Sequence, residues 1–297
     1  MKVKVIAGLI AASLGVACIL FMYSPLPIIV LSGFSLLGAI EICRAMKTTN
    51  KLLIALSAVF AAIMPFGLSY ARDLANAAYL RVLPLAAVAV VLLFPLIMLS
   101  DFKRTSFQQM LAAGIGAFII PVGFTGLSFI RALVPVAPLW TPEVGTVGEG
   151  QTAWNIYWIL MALFCCWVTD AFAYFVGKAT GGKHKLAPSV SPNKSWEGAV
   201  GGVIGAALVN VLLWVIFYKG GFFGVAAFVP PLWLIIPLSV VMSVVGTLGD
   251  LTFSAIKRQA GIKDFGNVIP EHGGSLDRFD SYLFVVPALW AILELLY

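Results

Sequence analysis

Near the end of the chain, residues 254–280 gather Lys257, Arg258, Lys263, Asp264, His272, Asp277, Arg278 and Asp280 into one short polar block. The chain around it is 61% hydrophobic and only 11% charged. Ionisable groups in or at a bilayer are costly, so a cluster of them marks a functional site. Within it, His272-Gly273-Gly274-Ser275-Leu276-Asp277-Arg278-Phe279-Asp280 reads as a loop ended by two glycines. Ser275 then caps the last helix, on which Asp277 and Asp280 stack three residues apart. Two carboxylates so spaced can hold one or two divalent cations. Hard oxygens without cysteine or paired histidine favour Mg²⁺ or Mn²⁺ over zinc.

Three further constellations lie upstream. Asp250, Ser254 and Lys257 recur at i, i+4 and i+7, so one helix face carries a carboxylate at membrane depth toward cationic groups that include Arg258. Asp250 follows a long apolar run, where a solvated aspartate has little place; an ion pair with a basic residue elsewhere is the structural alternative. Trp167, Asp170 and Tyr174 share a second face at spacings of three and four. A helix–helix hydrogen bond or ion pair would also account for Asp170. Between these helices runs Gly177–Gly198, where Lys183, His184, Lys185 and Lys194 supply positive charge. Ser191-Pro192 reads as an N-cap and first helical residue, and the free N–H groups of that helix start place Lys194 and Ser195 well for an anion. A positively charged loop before an ordinary helix start is the plainer account of any one of these lysines.

Two tempting motifs fail on context. Gly177, Gly182 and Lys183 mimic a P-loop, but His184 stands where a magnesium-binding Ser or Thr belongs, and a membrane helix replaces the preceding strand. Asp264-Phe265-Gly266 matches a kinase metal tripeptide with none of the other kinase elements around it. What survives is metal-binding carboxylates, a ring of Lys and Arg, and a site at a membrane face. Together they describe phosphoryl or nucleotidyl transfer to a lipid, a reaction that rests on positioning and charge neutralisation. A transporter is the rival from another class. It predicts carboxylates spread along a path through the bilayer and duplicated halves, whereas these gather near one face and no internal repeat is evident.

The elements that position these groups follow from hydropathy. A mean hydropathy of +1.01 lies far outside the soluble range and identifies an all-α polytopic membrane protein. Apolar runs of about 20 residues, the length that crosses a bilayer, are expected at Val3–Met22, Leu26–Ile42, Leu52–Tyr70, Leu83–Leu99, Met110–Ile130, Trp154–Val176, Ala199–Tyr218, Leu232–Thr247 and Ser275–Leu296. The first reads as a retained helix because no cleavage site follows it. That gives about nine crossings in three parts: residues 1–130 as a scaffold of five helices, 131–153 as a Pro- and Gly-rich external loop, and 154–297 as the catalytic region. All of the 19 Lys+Arg residues except Arg72, Arg81, Arg131 and Lys219 then fall on one side. By the positive-inside rule the N-terminus, the 178–194 loop and the polar block are cytoplasmic. The aromatic residues alternate with aliphatic ones, not with Arg and Lys, which argues against nucleic acid. Cys18, Cys43, Cys165 and Cys166 lie in or beside the expected helices as packing thiols. Gly198, Gly201, Gly202 and Gly205 let a neighbouring helix approach closely.

The run from Ser254 to Asp280, S-x-I-K-R-x(4)-K-D-x-G-x(2)-I-P-x-H-G-G-x-x-D-R-F-D, closely resembles the signature of the phosphatidate cytidylyltransferases, the CDP-diacylglycerol synthases. The resemblance extends upstream through Leu248-Gly249-Asp250, Ser191-Pro192-x-Lys194-Ser195-x-Glu197-Gly198 and the Asp170 helix, so it covers roughly the C-terminal half. Ser275 stands where the family has an aliphatic residue, Glu271 where Gly is frequent, and Ser195 where Thr is usual. The resemblance implies that CTP and phosphatidate yield CDP-diacylglycerol and pyrophosphate in a bacterial inner membrane, with dCTP as an alternative donor. It implies Mg²⁺ (or Mn²⁺, with room for a second, monovalent cation) on Asp250, Asp277 and Asp280. Lys257, Arg258, Lys263, Arg278, Lys194 and Ser195 would bind phosphates, with Asp170, Lys183, Lys185 and His272 completing the substrate site. His272 is read as an orienting group, because a phosphate nucleophile with a second pKa of ~6 needs no strong base. A homodimer is compatible with this reading, as are a CTP-dependent lipid-alcohol kinase and an ether-lipid acceptor among related enzymes.

Overall fold

The computed structural model describes residues 13–22, 24–73, 77–131, 149–221, 230–267 and 273–296, with backbone alone at 70–73, 77–84 and 149–153. Among the described residues the helices are α1 (Leu26–Ala45), α2 (Lys51–Asp73), α3 (Ala77–Ser100), α4 (Phe107–Arg131), α5 (Glu149–Ala179), α6 (Trp196–Lys219), α7 (Leu232–Ala260), the single-turn α8 (Leu276–Phe279) and α9 (Tyr282–Leu296). Two short strands, β1 (Lys185–Ala187) and β2 (Ser191–Ser195), pair antiparallel between α5 and α6.

Six of these helices are long and apolar enough to cross a membrane: α1, α2 through Ser69, α4, α5 from Trp154, α6 and α7. They match six of the sequence-expected spans. The spans expected at 83–99 and 275–296 fall on the shorter apolar helices Leu85–Ser100 and Tyr282–Leu296. Of the expected first span, helix is described over 13–20, and of the expected external loop, 132–148 lie outside the described residues. Leu92, Leu96, Leu208 and Leu212 each expose more than half their surface. Such faces suit lipid, which is as apolar as leucine.

The chain folds as two compact units. The first holds α1 to α4 as far as Phe129, together with Gln259–Phe279; the second holds α5, the hairpin, α6, α7 to Arg258, and the chain from Asp280. In the first unit, Gly116 lies in a stretch of π-helix, Ile115–Ile119, against Ala39 of α1 and Ser57 of α2, and the Ser57 hydroxyl donates to the Ala113 carbonyl at 2.8 Å. The rings of Phe34, Phe124 and Phe279 cluster with centroids 4.8–6.4 Å apart, which ties the late segment to α1 and α4.

In the second unit, α5 and α6 meet along the glycine stripe. A methyl on Gly202 would stand 2.6 Å from the Thr169 carbonyl oxygen, and one on Gly198 2.7 Å from that of Ala173. Both obstacles are backbone, which cannot rotate away. Gly202→Ala is therefore expected to cost about 1–3 kcal/mol of stability, seen as a lower unfolding temperature in detergent. Gly33→Ala on α1, where nothing lies within 4 Å of the new methyl, serves as its control. Equal stability of the two variants would refute the close-contact account. Deeper in this unit, Thr169 and Ser243 hydroxyls lie 2.6 Å apart, and the Asn210 amide donates to the Cys165 sulfur at 3.2 Å. All four cysteines are free thiols, three of them buried.

Candidate active site

The second unit supplies most of the charged groups. α5 ends at Ala179, and the chain returns through a hairpin in which Lys185 pairs with Ser195 and Ala187 with Ser191. This corrects the expected cap at Ser191. Ser191-Pro192 lies in β2, where a two-stranded ribbon tolerates proline at its edge, and the helix begins four residues later. Ser195, 4% exposed and extended at φ −127°, ψ 158°, is the true N-cap: its hydroxyl accepts the Gly198 N–H at 3.1 Å. Alternation along the strand then sends Lys194 the opposite way, and its ammonium pairs with Oδ2 of Asp250. His184 Nδ1 stands 2.6 Å from Oε1 of Glu197, which also accepts the His184 N–H. Lys183 and Lys185 lie exposed on the loop and strand leading into the hairpin.

α7 runs three turns beyond the apolar stretch and carries the expected face. Ser254 donates to Oδ1 of Asp250 at 3.2 Å, and two turns below Asp250 the Arg258 Nε donates to the Val190 carbonyl at 3.2 Å. Arg258 thus holds the hairpin onto α7. One turn above Ser254, Gly249 lets the chain pass close to Asp280, because a Cβ there would stand 2.8 Å from the Asp280 carbonyl oxygen.

Asp280 lies outside the spanning helices, in the turn between α8 and α9. Its Oδ1 accepts the Ser281 N–H at 2.7 Å, a donor that a continuous helix would give to the carbonyl four residues back. For that reason the expected helix from Ser275 to Leu296 is interrupted, and Asp277 and Asp280 are not successive rungs of one helix. Burial, and after it the Asp250 carboxylate, raise the pKa of Asp280. Lys257 acts in the opposite direction and Asp170 in the same one. Asp170, exposed on α5, in turn feels Asp250 and Lys194. Three carboxylates and two lysines therefore act on one another within this unit.

Among the described residues no three His, Cys, Asp or Glu side chains close into a metal shell. Mg²⁺ usually binds through one or two carboxylates and completes its octahedron with water and substrate phosphates. The donors present, carboxylate oxygens with a surplus of negative charge, fit such an ion.

The first unit holds the rest of the polar block. Oδ2 of Asp277 accepts two backbone N–H groups, from Phe265 at 2.8 Å and Gly274 at 2.9 Å. Gly273 adopts φ +88°, a conformation that favours glycine. Ser275 does not cap α8 with its side chain: the hydroxyl donates to the Phe34 carbonyl at 3.2 Å. The capping carboxylate is Glu41 of α1, which sequence reasoning missed. It accepts the Ser275 N–H at 2.8 Å and the Leu276 N–H at 2.9 Å. Its one signal was a lone acid within an apolar span. Lys263 and Arg278 are exposed in this unit, while His272 and Glu271 lie outside the described residues.

The polar block and the α5–α7 groups thus carry the residues that the motif resemblance selected, and comparison with known proteins extends over the whole chain. Residues 2–296 match the model of the cytidylyltransferase family. The chain belongs to that family. A relative named phosphatidate cytidylyltransferase, from Staphylococcus epidermidis, is 34% identical over 227 residues, covering 73% of this chain and 83% of its own length. Relatives of the same name from Staphylococcus saprophyticus and Bacillus subtilis reach 45% over 135 residues and 42% over 142. In those two the match spans about half the relative's length, 48% and 49%. Within that matched span the Lys194–Asp250 pair and the neighbouring Asp170 and Asp280 form a cluster of opposite charges.

Proposed function

We propose that this cytidylyltransferase moves the CMP portion of CTP onto phosphatidate at the cytoplasmic face of a bacterial inner membrane, giving CDP-diacylglycerol and pyrophosphate. The observation that carries the reading is Asp250, held by Lys194 from the hairpin and acting on Asp170 and Asp280, in a chain that matches the family from end to end. Mg²⁺, held by Asp250 and Asp280, would offset the charge of the triphosphate and ease departure of pyrophosphate.

The chain's own groups do the rest. Lys194 pairs with Asp250 and Lys257 acts on Asp280, and both can bring positive charge to the triphosphate. Ser195 accepts the Gly198 N–H, and its own O–H can donate to a phosphate oxygen at the N-terminus of α6, where the helix dipole favours an anion. A phosphate oxygen of phosphatidate attacks the α-phosphorus in line. The bond from that phosphorus to the bridging oxygen of the β-phosphate breaks, and both electrons leave with pyrophosphate. The nucleophile is ionised near neutral pH, its second pKa being ~6, so no side chain has to remove a proton.

The test is conversion of phosphatidate by purified protein in mixed micelles, with CTP and dCTP side by side. A CMP-bearing lipid and pyrophosphate are expected, both absent in EDTA. CTP binding without lipid product would overturn phosphatidate as acceptor, and absence of CTP binding would overturn the reaction class.

A further inference from the structure

Glu41 is 2% exposed about one turn before the end of an apolar helix, and nothing in the proposed reaction uses it. A buried carboxylate is tolerated only where hydrogen bonds or charges satisfy it. Here each oxygen takes one backbone N–H from the other end of the chain: Oε1 that of Ser275, Oε2 that of Leu276. The same carboxylate also fills the space beside two glycines. A Cβ on Gly266 would stand 2.7 Å from Oε1, and one on Gly274 2.6 Å from it. The glycines of the polar block are therefore shaped around a side chain of α1.

The neighbouring N–H groups go to Asp277, which takes those of Phe265 and Gly274. Two carboxylates from distant parts of the sequence thus share the amides of two adjoining segments, 265–266 and 273–276. Holding the second of these fixes the start of α8 and with it the direction in which Asp277 and Arg278 leave the backbone.

Resting on the reaction assigned above, we propose that Glu41 is a positioning residue for nucleotidyl transfer. Its carboxylate sets the conformation of residues 273–277, and thereby the direction in which Asp277 and Arg278, which the motif resemblance assigns to the substrate and metal site, leave the backbone. It touches no substrate itself. A carboxylate is required because the two donors approach different oxygens. Glutamine keeps the size but offers one acceptor and turns its NH₂ against the other N–H.

Glu41→Gln tests this in monodisperse protein. The KM for CTP is expected to rise about tenfold, the scale on which supporting residues tune a site, while the KM for phosphatidate stays unchanged. A smaller folded fraction lowers the rate but not the affinity, so instability alone cannot mimic that split. Hydrogen exchange in peptides covering 273–279, measured without substrates, is expected to quicken. If Glu41→Gln does not give folded protein, Gly274→Ala, which pushes a methyl against the same carboxylate, is read by the same two measurements. A folded variant with unchanged CTP KM and unchanged exchange overturns the proposal. Wild-type protein that forms no CDP-diacylglycerol would fail the assigned reaction instead, and the exchange measurement then still decides whether Glu41 holds the segment.

Discussion

Asp280→Asn is expected to lower CTP-dependent turnover by about a thousandfold, the upper range for removing one preorganised electrostatic group, while leaving the ligand-free protein no less stable. Asparagine has the shape of aspartate, and its Oδ1 can still accept the Ser281 N–H that forms the turn before α9. What is lost is charge. Asp280 faces the like charges of Asp250 and Asp170, and burial adds to the cost of ionising it. A carboxyl whose folded pKa is raised binds its proton more tightly in the native state than in the unfolded one. The native state therefore loses stability as pH rises from the unfolded value of about 4 through the raised value. The variant lacks that penalty, so its advantage in unfolding temperature, absent in acid, should grow across the same window. Thermal unfolding in detergent at two pH values, beside initial rates with CTP and Mg²⁺, gives both signs. Activity within tenfold of wild type would remove Asp280 from the reacting centre, and a lowered unfolding temperature at neutral pH would show that its charge serves the fold.

The parts of this molecule that sequence made legible are those decided by local pattern. The apolar spans follow from hydropathy over a single helix. The glycine stripe on α6 met α5 as its small-residue spacing implied, and Asp250 and Ser254 share a face because 3.6 residues make a turn. Failures came where a partner outside the local helical pattern decided the outcome. Ser191-Pro192 satisfies every local rule for a helix start, yet pairing with Lys185–Ala187 draws it into a strand and moves the cap to Ser195. Ser275 was the expected cap of the last helix, but Glu41, 234 residues away, took its N–H. Asp280 broke that helix with its own side chain, a competition that hydropathy does not register. Of the site itself, residue types carried most of the reading. The pairings among them, above all Lys194 with Asp250, required the fold.

That pairing supports a prediction with opposite signs on two observables. Lys194→Met is expected to lower turnover by about a hundredfold and also to lower the Mg²⁺ concentration needed for half-maximal rate. In the ligand-free chain the Lys194 ammonium occupies Oδ2 of Asp250, while Ser254 donates to Oδ1. A metal ion that binds this carboxylate must displace or share with the lysine. Methionine keeps an unbranched apolar stem without the charge, so Asp250 is left beside Asp170 and Asp280 with less positive charge opposing a cation. The metal then binds more tightly. The triphosphate, though, loses a counter-charge that in the wild type is freed when the metal arrives, and the transition state is less well neutralised. Lys194→Arg keeps the charge on a broader, planar head and should fall between the two. Added Mg²⁺ should also raise the unfolding temperature of Lys194→Met more than that of wild type, because a half-buried carboxylate without its lysine gains most from a new cation. If the Mg²⁺ requirement instead rises along with the loss of turnover, Lys194 helps to assemble the metal site, and its competition with the cation for Asp250 is refuted.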